Sequence, residues 1–205
     1  MKKKYLIAAL FILSISSIFI GVKDIRPIEI FQLEEAKLQI LIISRVPRLI
    51  SIIVAGVSMS IAGLIMQQIS RNKFVSPTTA ATVDSARLGI LVSLVVFSGT
   101  SVIGKMLIAF VFSLLGTMLF MQILRRVKLQ NTIFIPIIGI MLGNIIDSIA
   151  TFFAYKYDLV QNISSWLQGD FSMIIKGRYE LLYFSVPLMI IAYLYANKFT
   201  VAGMG

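Results

Sequence analysis

Stretches of almost uninterrupted apolar residues alternate along this chain with short polar crossings, and each stretch is close to the roughly 20 residues that a helix needs to cross a hydrocarbon layer. They run from Tyr5 to Val22, Pro47 to Met66, Pro77 to Phe97, Gly104 to Leu124, Thr132 to Tyr155 and Tyr179 to Ala196. The pattern predicts an all-α protein, a polytopic transmembrane helical bundle with about six spans, and it places residues 1–205 in a single transmembrane domain. Two polar segments are longer than the rest. Lys23 to Ser44 is long enough for a helix lying along the interface, and Gln161 to Arg178 holds the only tryptophan, Trp166, in Ser165-Trp166-Leu167-Gln168-Gly169-Asp170. A lone tryptophan at a membrane boundary commonly anchors the interface.

Composition strengthens this picture and removes several functions. Hydrophobic residues make up 58% of the 205 and charged residues 14%, and the mean hydropathy is +0.93. That is more apolar matter than a soluble core of this size buries. The net charge of +10 would suggest nucleic acid in a soluble protein. Here the cations sit in the connections, which is a topology signal, and no nucleic-acid partner is expected. With the amino terminus in the cytoplasm, the inner connections hold Lys2, Lys3, Lys4, Arg71, Lys73, Arg125, Arg126, Lys128 and Lys198 without an acid. The three leading lysines also fit a secretory signal, although the following run is long and no Ala-x-Ala site ends it. Cysteine and histidine are both absent, so no disulfide, thiolate or imidazole metal site, or Ser-His or Cys-His nucleophile is available. The chain is expected not to be an enzyme, with no catalytic residue, metal or cofactor of its own.

One stretch imitates a nucleotide site. Gly99-Thr100-Ser101-Val102-Ile103-Gly104-Lys105-Met106 approaches a phosphate-binding loop, but Met106 stands where a magnesium-binding hydroxyl is required and no strand precedes it. ATP, if it drives this protein, belongs to a partner subunit.

Three charges fall inside predicted spans: Asp84, Arg87 and Asp147. Each is expensive at depth and should find a partner or face water. Ser76 as a cap and Pro77 at the first helical position predict a helix that starts there and runs on. Along it, Asp84 would lie roughly 10 Å in and Arg87 roughly 15 Å in, spaced so that they can pair. In the fifth span Gly139, Gly143 and Asp147 recur every fourth residue and Ala150 and Ala154 continue the smooth strip. Such a strip permits close helix packing. It serves either as a tight contact, with Asp147 satisfied by Asn144, a backbone group or Arg87, or as the lining of a transport pathway.

Taken together, Arg45-Val46-Pro47-Arg48 before the second span, Met66-Gln67, Arg71-Asn72 and Ser76-Pro77 after it, Ala86 and Gly89 in the third, Gly139 and Gly143 in the fifth, and Trp166 with Gly169 before the sixth resemble the FecCD-type permeases. Those are transmembrane subunits of ABC importers for iron-siderophores, haem and vitamin B12. The run Phe74-Val75-Ser76-Pro77-Thr78-Thr79 with Asp84 and Arg87 is similar to the branch handling catecholate and related siderophores. Many members carry a Gly-x-Ser-x-Gly-Ala-like run where this chain has Ala81-Thr82-Val83-Asp84-Ser85-Ala86.

The resemblance implies an iron-siderophore permease in the cell membrane. Its partners would be an ATP-binding subunit, an extracytoplasmic siderophore-binding protein and a second permease subunit, in a homo- or heterodimer. It implies that Arg45 and Arg48 face outward and dock acidic residues of the binding protein; an anchor to lipid headgroups is the alternative for both. It implies a cytoplasmic gate at Asn72, Phe74, Asn131 and Thr132, positions that otherwise read as ordinary turns. Family permeases have ten spans, so this chain corresponds to the amino-terminal portion, ending after the sixth. Two rival readings remain: a secondary transporter relaying protons or ions through Asp84, Arg87 and Asp147, and a truncated permease that does not transport.

Overall fold

The computed structural model describes residues 3–19, 39, 41–70, 72–127, 134–169, 171 and 182–202. Among them the regular elements are helical. The α-helices are α1 (Lys3–Phe19), α2 (Val46–Ser70), α3 (Thr82–Val96), α4 (Val102–Arg126), α5 (Phe134–Lys156), α6 (Val160–Leu167) and α7 (Leu182–Ala202). A π-helical turn, Leu41–Arg45, leads into α2, and a 3-10 turn, Pro77–Ala80, precedes α3. Among the described residues, three continuous stretches are long and apolar enough to cross a membrane: Leu41–Ser70, Val102–Arg126 and Phe134–Lys156. Each apolar run of the sequence thus has a helix. The expected interfacial helix in Lys23 to Ser44 falls mostly outside the described residues.

The chain divides into two compact groups, one comprising Met1–Ser58 with Asp170–Ile190 and the other Met59–Gly169 with Ile191–Gly205. In the first, α1 meets the π-helical turn. Ser51 is buried at the start of α2 and donates its hydroxyl to the carbonyl of Pro47 at 2.7 Å, which satisfies a polar group within its own helix.

The second group holds α3 between α4 and α5. Hydrophobicity cannot drive helices together in lipid, so close approach of backbones and the dispersion it brings must do so. The residues at the seams are accordingly small. Ser85 and Gly89, four apart, turn toward α4, and the Ala81 carbonyl lies against the same seam. A Cβ at Gly116 would overlap the Ser85 hydroxyl, and one at Gly89 would lie 2.8 Å from Phe112 Cβ and 2.9 Å from the Ala109 backbone. Toward one end of the seam Met66, Val75, Ala80, Ala81, Phe120 and Leu142 form a buried cluster. Toward the other, Ile90, Leu91, Ala150, Ala154 and Ile163 form a second.

The helix ends follow from local chemistry. Ser101 caps α4 by accepting the N–H of Gly104 at 3.3 Å, while Arg125 and Arg126 lie in its last turn, where cations suit the helix dipole. The stretch that imitates a phosphate loop is therefore a helix cap following a turn. At the end of α5 Asp158 adopts a left-handed conformation (φ 55°). The N–H of Leu159 then returns to Ala154 O at 2.8 Å and that of Asp158 to Tyr155 O at 3.2 Å, the Schellman arrangement. This reversal sends the chain into α6, whose Ile163 is fully buried. Trp166, partly buried, packs on the second cluster, so one side of its indole meets protein.

Candidate functional site

The described intramembrane charges meet on the seam between α3 and α5, but not in the arrangement the sequence suggests. A single helix from Pro77 was expected to carry Asp84 and Arg87 as a pair. Instead the chain makes a 3-10 turn, breaks at Ala81 (φ 56°) and starts α3 at Thr82. A left-handed alanine is strained, since its Cβ crowds the backbone, and here it is fully buried in the first cluster. Asp84 consequently sits in the first turn of α3, where its charge complements the helix N-terminus. The two depths measured along one straight axis from Pro77 do not apply.

Arg87 pairs across the seam rather than along its own helix. Its Nη1 donates to Oδ1 of Asp147. Of the three partners open to Asp147, the structure places Arg87 there. The pair is partly screened, with side-chain exposures of 23% and 35%, and Nε of Arg87 is buried without a partner among the described residues.

The glycines of α5 make this seam possible. A Cβ at Gly139 would strike the Thr79 carbonyl, and one at Gly143 would strike the Asp84 carboxylate. The strip Gly139, Gly143, Asp147 thus lies along Thr79, Asp84 and Arg87 in register, and Ala150 and Ala154 continue it into the second buried cluster. Asp84 makes no ion pair among the described residues.

Beside Asp84 a half-open cleft of about 580 Å³ is lined by Phe74, Ser76, Thr78, Thr79, Val83, Asp84, Pro136, Gly139, Ile140 and Asn144. One wall is the tight connection after α2. The N–H of Asn72 returns to Gln67 O at 3.2 Å. The side-chain oxygen of Asn72 accepts the N–H of Phe74 at 2.9 Å, and Gln67 Nε2 donates to Val75 O at 3.4 Å. Val75 is buried while Phe74 is 98% exposed, so the turn pins one side chain in the core and projects the next. Ser76 and Thr79 then lock the 3-10 turn: the Ser76 N–H donates to Thr79 Oγ1 at 3.2 Å, and the Ser76 hydroxyl lies 2.7 Å from that of Thr78.

The structure therefore brings Phe74, Asp84, Arg87, Gly139, Gly143 and Asp147 into one neighbourhood, with Asn72 shaping its edge. Asn131 and Thr132 lie outside the described residues. Arg45 and Arg48 belong to the first group and differ from each other. Arg45 ends the π-helical turn at 9% exposure, whereas Arg48 is exposed. Ser76, Thr78, Thr79 and Asn144 as cleft residues were not singled out from the sequence. The hydroxyl-rich run at 76–79 and the position of Asn144 one residue past Gly143 were the available signals.

The model of the FecCD transport family matches residues 7–205. The chain belongs to the FecCD transport family. Within it, the chain is 65% identical over 205 residues to the petrobactin import system permease protein YclN of Bacillus subtilis, covering 100% of this chain and 65% of that one. It is 40% identical over 205 residues to the petrobactin import system permease protein FatD of Bacillus anthracis, covering 99% of this chain and 60% of that one. The ferric-anguibactin transport system permease protein FatD of Vibrio anguillarum is 38% identical over 200 residues, covering 98% and 64%. The chain thus spans less than two thirds of the length of these relatives, between 60% and 65%. A solved metal-chelate type ABC transporter in an inward-facing conformation superposes with a TM-score of 0.72 at 21% identity, covering 90% of this chain and 57% of that one. That likeness shows that this FecCD chain shares the helical fold of that structure.

Proposed function

We propose that this chain forms part of the transmembrane permease subunit of an ATP-driven iron-siderophore importer, and that its chelate is of the petrobactin kind. The observation that carries the proposal is the 65% identity to the petrobactin permease across all 205 residues. The permease works in the cell membrane with its amino terminus in the cytoplasm. A second permease subunit completes the pathway, an ATP-binding subunit drives it, and an external siderophore-binding protein delivers the chelate. Arg48, exposed at the start of α2, is the better placed of the two arginines to meet that protein. Asn72 and Phe74, with Asn131 and Thr132, form the inner gate. Iron requires no ligand from the chain because the siderophore holds it, in keeping with a sequence that has no His or Cys.

The ion pair between Arg87 and Asp147 weighs against a proton or ion relay, since each neutralises the other. The deciding experiment measures uptake of petrobactin loaded with radioactive iron by cells lacking this gene and by cells in which it is restored. Uptake that returns with the gene, survives an uncoupler and stops when the ATP-binding subunit is inactivated supports the importer. Uptake that collapses with the uncoupler alone points to a secondary transporter, and no difference between the strains sinks both.

A further inference from the structure

Resting on the importer reading, we infer that the cleft under Phe74 is a recognition subsite for a positively charged amine carried by the transported chelate, with Asp84 as its counter-ion. Asp84, Phe74 and Asn144 line one cleft with the hydroxyls of Ser76 and Thr78, and Asp84 is not committed to an ion pair among the described residues. A ferric catecholate is anionic at its metal centre. The cation that would suit such a centre, Arg87, is engaged by Asp147, and the group presented to the cleft is a carboxylate. The metal centre would be repelled here; a cationic arm of the same ligand would be attracted.

The remaining lining fits that arm. A protonated amine has hydrogen-bond donors and no acceptor, and the cleft offers it oxygen acceptors from Asp84, Asn144, Ser76 and Thr78. Phe74, 98% exposed on a turn held by Asn72 and Gln67, adds an aromatic face, which attracts ammonium groups most when water is excluded. The volume of about 580 Å³ lies within the usual range of small-molecule sites. It admits an alkylamine arm with room to spare. Gly143 contributes by having no side chain, since a Cβ there would displace the Asp84 carboxylate.

The test uses the full-length permease assembled with its ATP-binding subunit in lipid nanodiscs. The probes are a synthetic ferric catecholate bearing one free primary amine and the same chelate with that amine acetylated. The wild-type protein should bind the amine form about tenfold more tightly, a preference typical of one desolvated charge contact. In Asp84→Asn the preference should fall to near one, and in Asp84→Glu it should be largely kept. Equal binding of the two probes by the wild type, or a preference that survives Asp84→Asn, overturns the inference; the second result includes the case in which further protein fills the cleft. A lost preference accompanied by a lost folding transition for Asp84→Asn is resolved by Phe74→Ala, which should halve the preference or more without touching a buried group. The importer reading fails separately, through absent uptake of either probe by cells carrying the full-length permease while binding discrimination in the nanodiscs persists.

Discussion

The guanidinium of Arg87 closes an ion pair onto Asp147, 60 residues further along the chain, while Asp84, three residues before Arg87, stands outside it. The seam between α3 and α5 therefore holds one cation and two acids, and the cation has chosen the acid on the other helix. Removing either partner should leave the other charge half-buried and unpaired. The loss should be on the order of 1 kcal/mol, below the figure for fully buried pairs, because 23% of one side chain and 35% of the other stay exposed. We expect Arg87→Gln and Asp147→Asn each to lower the unfolding temperature of the solubilised protein by a few degrees. The double substitution should lower it by clearly less than their sum. Strict additivity in that cycle would mean the pair carries no coupling. Insertion into the membrane should be unaffected in all three, since neutralising a charge does not hinder it.

Gly139 and Gly143 lie on the same strip but should answer differently to alanine. A methyl at Gly139 meets the Thr79 carbonyl, which belongs to the backbone of the 3-10 turn and cannot swing away. Gly139→Ala should therefore separate α5 from the turn and destabilise by about 2 kcal/mol, in the overpacking range. A methyl at Gly143 meets only the end of the Asp84 side chain, so Gly143→Ala should unfold within about 1 kcal/mol of wild type. Gly56→Ala is the reference: its added methyl meets nothing within 4 Å, and removing a mid-helix glycine should stabilise by a few tenths to about 1 kcal/mol. Thermal melts of the three proteins in one detergent decide the order, and a Gly139→Ala protein as stable as wild type would contradict the close contact.

What the sequence disclosed and what it withheld divide along physical lines. Apolar run length depends on composition alone, so a helix for every run was legible, as was the packing role of a strip of glycines at every fourth position. The break at Ala81 was not, because Ser76-Pro77 is a sound helix start and nothing about alanine announces a left-handed backbone. That break moves Asp84 to the first turn of α3 and turns the expected pair with Arg87 into a pair across the seam. The contact of Trp166 with the second cluster was hidden for a related reason. The left-handed Asp158 folds the chain back so that α6 lies on the second cluster, and asparagine or glycine would have signalled such a reversal more plainly than aspartate does.

Phe74 and Asn72 separate stability from transport. With 98% exposure, Phe74 contributes little to the fold, so Phe74→Ala should melt within about 0.5 kcal/mol of wild type. Asn72 accepts the Phe74 N–H at 2.9 Å, and Asn72→Ala should loosen the turn at a cost of about 1 kcal/mol, the worth of an ordinary side-chain to backbone bond. If these residues form the inner gate, both substitutions should raise ATP hydrolysis in the absence of chelate in the reconstituted full-length complex. A Phe74→Ala complex with wild-type basal hydrolysis and wild-type uptake would remove Phe74 from the gate.

Arg45 and Arg48, three residues apart, are separable because one is buried and the other is not. Docking of an acidic binding protein depends on charge presented to water, and changing an exposed charge alters the rate of encounter and its salt dependence more than the fold. If Arg48 docks the proposed siderophore-binding protein, Arg48→Glu should slow that protein's capture by roughly tenfold at low salt and by much less at high salt, where charges are screened. Its melting temperature should stay near that of wild type. Arg45→Glu places an acid where a buried cation has its partners, so it should lower stability and reduce the amount of folded permease before docking is at issue. Surface-plasmon measurements of the association rate at two salt concentrations, paired with melts of the same preparations, distinguish the two roles. An Arg48→Glu protein whose association rate and salt dependence match wild type would exclude this arginine from the docking surface.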